Sequence, residues 1–265
     1  MKTDLVRQIF PITILGFASL FQTVLASSLE KSVVGEAYDI KNQSLLYREI
    51  HCGKENDLEH SVFYQGVEGE LIAQKTLDYK TGRLSLSFVQ KNLHTGKIIS
   101  VRLTDQEVSM SVQNMREQQP EKSNSEIVKS NLPLVIDAGF DSFVRQHWDS
   151  LVSGNRKWFR FPVATRSSLM AFRVDSSTCS YDNNGDQCFR LELSSWLYRL
   201  LADPIELGYD SVHQRLTRYR GLSNIEDNDK QGQIVDIHYR YGDIEAFTCD
   251  VQVISAGVTN KTKIN

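Results

Sequence analysis

Between Leu45 and Val112, aliphatic, aromatic and β-branched side chains recur in short runs, each closed by a turn-forming group. Leu45–Cys52, Ser61–Gln65, Glu70–Tyr79, Leu84–Lys91, Lys97–Thr104 and Glu107–Val112 read as strands. Gly69, Thr81-Gly82, His94-Thr95-Gly96 and Asp105-Gln106 separate them, so neighbours should fold back on one another as a meander. Later in the chain the alternation is cleaner. Phe189, Leu191 and Leu193 oppose Arg190 and Glu192, Ile205, Leu207 and Tyr209 oppose Glu206 and Asp210, and Val235, Ile237, Tyr239 and Tyr241 mostly oppose polar neighbours. Period-two patterning makes a sheet with one buried and one wet face. The expected fold is mainly β: one curved antiparallel sheet or half-barrel.

Two segments depart from that rhythm. Residues 113–131 carry almost no large apolar side chain besides Met115, Ile127 and Val128, and are expected to form a mobile polar linker. In Asp137–Gly154 the period changes to that of a helix. Phe140, Phe143, Val144, Trp148, Leu151 and Val152 share one face, Asp137 is placed to cap the start, and Ser153-Gly154 can end it. This amphipathic helix, at about residues 138–152, should cover the sheet's concave face or open end, because its apolar stripe needs a partner.

The first residues carry a different signal. Lys2 and Arg7 precede an apolar run from Ile9 to Leu25, and Val24-Leu25-Ala26 puts short side chains where a signal peptidase needs them. Residues 1–26 are expected to be a cleaved secretory signal peptide, leaving a single β-rich domain over 27–256, a disordered tail over 257–265, and no transmembrane segment. Export, to the periplasm or the medium, changes the reading of the cysteines. Cys52, Cys179, Cys188 and Cys249 are an even set in an oxidising compartment, where disulfides are the default. Of three possible pairings, Cys179–Cys188 is favoured because Asn184-Gly185 between them suits a tight hairpin turn. Cys52–Cys249 would then join the first and last strands. No paired-Cys or paired-His spacing suggests a metal.

Charge adds an exclusion. The 30 basic and 33 acidic residues leave a formal charge of −3, with no basic region to hold nucleic acid. Nor is there a Gly-x-Ser-x-Gly elbow, a His-Glu-x-x-His helix, a Walker loop or a dinucleotide-binding glycine motif, so no catalytic residue and no cofactor is assigned. Asp182–Asp186 and Asp227–Gly232 resemble the start of a calcium loop, but Leu191 and His238 stand at the twelfth position where Glu is needed. The densest chemistry lies in Gln214–Arg220. Arg218 and Arg220 share one strand face, Arg215 and Tyr219 the other, and such groups can grip a carboxylate or pair with Glu206, Asp210 or Asp236 across the sheet.

An exported chain with a long meander, an inserted helix and the late run Pro204–Tyr209, Gln214–Ile225 and Gly232–Tyr239 resembles the periplasmic lipoprotein carriers and their relatives. The resemblance covers the layout rather than a motif, and one helix stands where the carriers have several. It implies a half-barrel that holds acyl chains or hydrophobic partners inside a curved sheet. The expected function is binding of a lipid or apolar protein segment, with Phe140, Phe143, Val144, Trp148, Arg215, Arg218, Tyr219 and Arg220 as candidate ligand residues. The alternatives are a cell-envelope hydrolase with a dispersed site and a structural or assembly partner of an envelope complex.

Overall fold

The computed structural model describes residues 31–53, 56–117, 119–182, 185–195, 203–227, 232–242 and Cys249. The expected signal peptide and tail lie outside the described residues. The chain is mainly β, and among the described residues fourteen strands form one antiparallel sheet. They are β1 (Lys31–Asp39), β2 (Leu45–Cys52), β3 (Glu59–Gly66), β4 (Leu71–Asp78), β5 (Ser87–Asn92), β6 (Lys97–Leu103) and β7 (Glu107–Asn114). There follow β8 (Lys122–Ile127), β9 (Lys157–Val163), β10 (Ser168–Ser177), β11 (Asp186–Leu193), β12 (Ile205–Asp210), β13 (Arg215–Glu226) and β14 (Gly232–Tyr241). The six early runs read from the sequence correspond to β2 through β7, within a few residues at their ends.

Each strand pairs with its neighbour in sequence, with one exception that sets the shape. The ladder breaks between β8 and β9, and β1 pairs instead with β14, from Val33 opposite Tyr241 to Asp39 opposite Val235. The first and last described strands therefore meet mid-sheet, and the free edges, β8 and β9, come from the middle of the chain. Side chains of β8 span the gap, Glu126 reaching Arg160 of β9 and the rest meeting the β9–β10 turn and the start of β10. Lys122 Nζ and Asn124 Nδ2 donate to the carbonyls of Thr165 and Ser167, and Glu126 accepts the Leu169 amide. Val108, Met110 and Val112 of β7 lie in one cluster with Ala164 and Leu169. The sheet is thus rolled into a barrel-like wall whose seam is sealed by side chains rather than a backbone ladder.

β8 arises inside the stretch expected to be a linker. Its side chains are almost all exposed. Backbone pairing with β7 and the Ser109–Ser125 hydroxyl contact hold it in place of apolar alternation.

The helical segment divides into α1 (Gly139–Gln146) and α2 (Trp148–Val152), with His147 between them outside helical geometry. Asp137 does not cap it; the residue at that position is Ala138, without a side-chain cap. Asp137 has a positive φ of 45° and turns its carboxylate to Lys75 Nζ, at 2.9 and 3.1 Å. The break at His147 leaves Phe143, Val144, Trp148 and Leu151 buried while Val152 is exposed. Gly139 lets α1 start against the Leu84 segment, since a Cβ there would run into the Leu84 carbonyl oxygen.

Both expected disulfides are present. Cys52–Cys249 spans Cα atoms 5.8 Å apart and Cys179–Cys188 spans 5.2 Å. Gly185, beside the latter, has the positive φ its turn requires. Cys249 packs with Ile50, Cys52 and Phe63, so the bridge pins a later segment onto β2 and β3. No helix among the described residues is long and apolar enough to cross a membrane.

Candidate functional site: an apolar rim, buried charges and an outer arginine cluster

Inward positions on β9 through β12 follow from register: Phe159 faces Phe172, Phe172 faces Leu193, Val174 faces Leu191, and Phe189 faces Leu207. At the end of the wall nearer the helices these side chains are dry. Phe159, Val174, Phe189, Leu207 and Tyr209 pack with Phe143, Val144, Trp148 and Leu151 in one cluster. Trp148 meets the rings of Phe189 and Tyr209 edge-on, at 5.3 and 5.8 Å. Burial, then the nearby Asp141 carboxylate, push the Tyr209 hydroxyl well above its ordinary pKa.

Towards the other end the same inward rows stay partly open. Phe161, Met170, Phe172, Leu193 and Ile205 are half-buried there, and Phe161, Phe172 and Ile205 pack against the dry cluster. Phe172 stacks on Phe159 at 6.0 Å and meets Phe161 at 5.6 Å, so the rim continues the dry core without a gap. Gly221 makes room for it: a Cβ there would lie 2.8 Å from Ile205 Cγ1.

The β2 to β4 wall is chemically different. Inward beside Tyr47 stands Glu49, and inward between Ala73 and Leu77 stands Lys75, both buried. Glu49 Oε2 accepts from Tyr239 Oη at 3.0 Å and meets His51 Nε2 at 3.2 Å. Lys75 reaches Asp137 and lies 5.5 Å from the Phe88 ring and 6.0 Å from that of Tyr64. Burial first, and then the Glu49 charge, hold the hydroxyls of Tyr47, Tyr64 and Tyr239 well above the usual tyrosine range. These are neutral tyrosines around a charged interior. Sequence reading missed Lys75 and Glu49; the available signal was a charged residue in phase with buried Ala73 and Leu77.

Arg218 and Arg220 lie on the opposite, outer face. Arg218 holds Asp236 through two hydrogen bonds at 2.6 and 2.7 Å, while Arg220 Nε and His238 Nε2 sit 3.3 and 3.2 Å from the same carboxylate. Burial alone would raise the Asp236 pKa, but Arg218 and His238 outweigh it and pull it well below the carboxylate range. The Arg218 guanidinium stacks 3.8 Å from the Tyr181 ring, Arg220 reaches the Ser180 hydroxyl, and Glu206 accepts the Ser180 amide and hydroxyl. Arg215 stands opposite Asp210 and over the Tyr241 ring. Of the acids opposite these arginines, Asp236 is the one that Arg218 and Arg220 bind; Asp210 is bonded to His213 and Glu206 to Ser180.

The candidate ligand residues therefore divide three ways. Phe143, Val144 and Trp148, with Phe140 partly buried beside them, belong to the packed core. Tyr219 points inward between Leu207 and Ile237. Arg218 and Arg220 belong to the outer face, where the sheet separates them from the helix, while Arg215, at the start of the same strand, lies over the Tyr241 ring, which also feels Asp141 and Arg145 of α1.

Two open clefts lie outside the wall. One of about 420 Å³ is lined by Tyr181, Asp182, Asp186, Gln187 and the Cys179–Cys188 bridge, and one of about 320 Å³ by Arg145, His147, Trp148, Asp149 and Gln214. Among the described residues no group of three or more His, Cys, Asp or Glu side chains could hold a metal ion. Both calcium-like segments fall partly outside the described residues.

No protein-family model matches the chain, and no curated protein matches it. Among solved structures, the chain is similar to a β-barrel-like protein of a domain of unknown function, DUF1849, from Brucella abortus. That likeness has 7% sequence identity and a TM-score of 0.41, and covers 81% of this chain and 97% of the other.

Proposed function

We propose that this is an extracytoplasmic binding protein that takes an acyl chain of a lipid into the open end of its barrel-like wall. The observation that carries the reading is the apolar rim. Phe161, Met170, Phe172, Leu193 and Ile205 project inward yet remain partly solvated. Apolar surface left in water costs about 25 cal/mol per Å², and a chain laid along the rim would remove that cost. Export is supported by the charged and apolar start of the chain, and by two disulfides of the kind that persist in oxidising compartments.

Native mass spectrometry of the protein recovered from its own compartment tests the reading, and a bound lipid is the expected result. In parallel, Phe161→Glu should weaken saturable binding of a fluorescent fatty acid at least about tenfold, because it places a charge on the rim. Trp158→Ala, on the exposed outer side of β9, should leave binding unchanged. Recovery without lipid and no saturable fatty-acid binding would remove this function, and recovery with a stable protein partner would move it to an assembly role.

A further inference from the structure

The two disulfides differ in what surrounds their sulfurs. Cys52 and Cys249 are 2% and 1% exposed and sit in an apolar cluster with Ile50 and Phe63. Cys188 is as buried as these, but its partner Cys179 is partly exposed, and both line the open cleft of about 420 Å³ outside the wall. This bridge therefore borders solvent on its Cys179 side.

The polypeptide around it is held by more than the S–S bond. Backbone pairing runs along β10 and β11 from Phe172 opposite Leu193 to Ser177 opposite Cys188, and Cys188 in turn faces Gly208 on β12. Ser180 donates its amide and hydroxyl to Glu206, and the Tyr181 ring stacks on the Arg218 guanidinium. Gly208 leaves room for that tyrosine, since a Cβ there would run into Tyr181 Oη. A bridge spanning 9 positions also constrains the unfolded chain far less than one spanning 197. Opening Cys179–Cys188 thus leaves the hairpin folded, with the two thiols still close enough to join again.

The surroundings of Cys188 suit a leaving thiolate. Tyr181 Oη lies 3.5 Å from Cys188 Sγ and donates to Asp186 Oδ2 at 3.2 Å, while Thr217 Oγ1 donates to the same carboxylate oxygen at 2.9 Å. Burial, and then the Asp186 charge, push the Tyr181 pKa up, so the hydroxyl keeps its proton. It can turn to the sulfur while Thr217 keeps Asp186 satisfied. Arg218, stacked on the same ring, adds positive charge nearby. On the other side, the Asp186 carbonyl lies 3.7 Å from Cys179 Sγ and can accept from that thiol once it is reduced.

We propose that Cys179–Cys188 is a thiol–disulfide exchange site, entered at Cys179 by an incoming thiolate. The electron pair of the attacking sulfur forms a bond to Cys179 Sγ, the Cys179–Cys188 bond breaks, and Cys188 leaves as a thiolate that accepts from Tyr181 Oη and then takes a proton from solvent. A second thiol releases Cys179 in the same way. The protein disulfide is reduced to two thiols, and two incoming thiols are oxidised to one disulfide; the reverse sequence restores the bridge. The co-reactant is a thiol, small or carried on a protein. This site stands apart from the apolar rim and does not depend on a lipid ligand.

The test holds the intact, oxidised protein in native buffer with reduced glutathione, quenches samples with acid, alkylates them and maps the cysteines by mass spectrometry. Cys179–Cys188 should open at least about tenfold faster than Cys52–Cys249, because exchange follows access to the sulfur. The first adduct should carry glutathione on Cys179 and the alkyl group on Cys188. Equal rates, opening only after denaturant is added, or glutathione on Cys188 would overturn the proposal. Tyr181→Phe keeps a ring over Arg218 and removes the donor, so opening should slow by about tenfold as the leaving thiolate loses its hydrogen bond. A tyrosine with a purely structural role would leave the rate unchanged or raise it, and that result would remove Tyr181 from the step. Should this variant fail to fold, the adduct position and relative rates in the parent still decide. A reduced dithiol protein offered at the same thiol concentration separates the two sources: faster opening than with glutathione places the donor thiol on a protein, slower opening on a small molecule.

Discussion

The two walls of this barrel solve the interior differently. Around the helices, β9 to β12 close mainly with rings and aliphatic side chains: Phe143, Trp148, Phe159, Phe189 and Leu207 are buried together, and the Asp141 carboxylate reaches the Tyr209 hydroxyl at their margin. Across the interior, β2 and β4 place Glu49 and Lys75 at inward positions of the same alternation. The dry wall is stabilised by area and packing density. The charged wall depends on each ion finding its partner, and loss of one partner leaves an uncompensated charge. The comparison teaches that strand period reports direction, inward or outward, and leaves open what fills the inside.

The largest effects should come from breaking each wall in its own currency. Lys75→Met leaves Asp137 without its cation and should lower unfolding free energy by about 3–5 kcal/mol. Adding Asp137→Asn should recover a large part, because Asn tolerates the positive φ found there and needs no counter-charge. Denaturant titration of the two variants checks the order; an equally unstable double variant would mean that the pair stabilises through something other than charge. On the dry wall, Trp148→Ala should cost about 3–5 kcal/mol by cavity formation alone, with no partner able to rescue it. If Trp148→Ala instead left stability near that of the parent and abolished fatty-acid binding, Trp148 would be a ligand wall and not core.

The contrast also marks what the sequence made legible. The dry wall was readable because Phe189, Leu191 and Leu193, and Ile205, Leu207 and Tyr209, alternate without exception, and because the helix period is plain in Phe140, Phe143, Val144 and Trp148. Disulfide pairing was readable from an even cysteine count and a turn-forming Asn184-Gly185. Lys75 was not, since a lysine in a strand ordinarily marks the wet face; only its distant partner Asp137, 62 positions later, makes the buried position tolerable. The same partnership misled the reading of Asp137 as a helix cap. β8 was hidden for the opposite reason: it buries almost nothing, so backbone pairing with β7 left no apolar trace.

An intermediate effect separates the two disulfides. Cys52–Cys249 closes a span of 197 residues and Cys179–Cys188 a span of 9. In the chain-entropy view the longer loop constrains the unfolded chain about twice as much. Replacing Cys52 and Cys249 by Ser should therefore lower the melting temperature more than replacing Cys179 and Cys188. The reverse order would show that the outer cleft hairpin, with Tyr181 stacked on Arg218, contributes more than its loop length suggests.

The smallest effect concerns the outer face, where a buried carboxylate is paired with partly exposed cations. Asp236 is the hub of that face, and its carboxyl is held ionised well below the usual range by Arg218 and His238 despite the opposing effect of burial. A carboxyl depressed on folding stabilises the native state at every pH above its unfolded value, about 3.9. That contribution fades as acid protonates it, falling through the folded value. Asp236→Asn should therefore reduce stability at neutral pH, where Arg218 and Arg220 lose their shared anion, and should narrow the difference from the parent as pH drops below about 4. Unfolding midpoints of parent and variant, measured across the acid range, check the sign. Parallel curves would mean that Asp236 binds its protons alike in both states, and that the outer arginines do not depend on it.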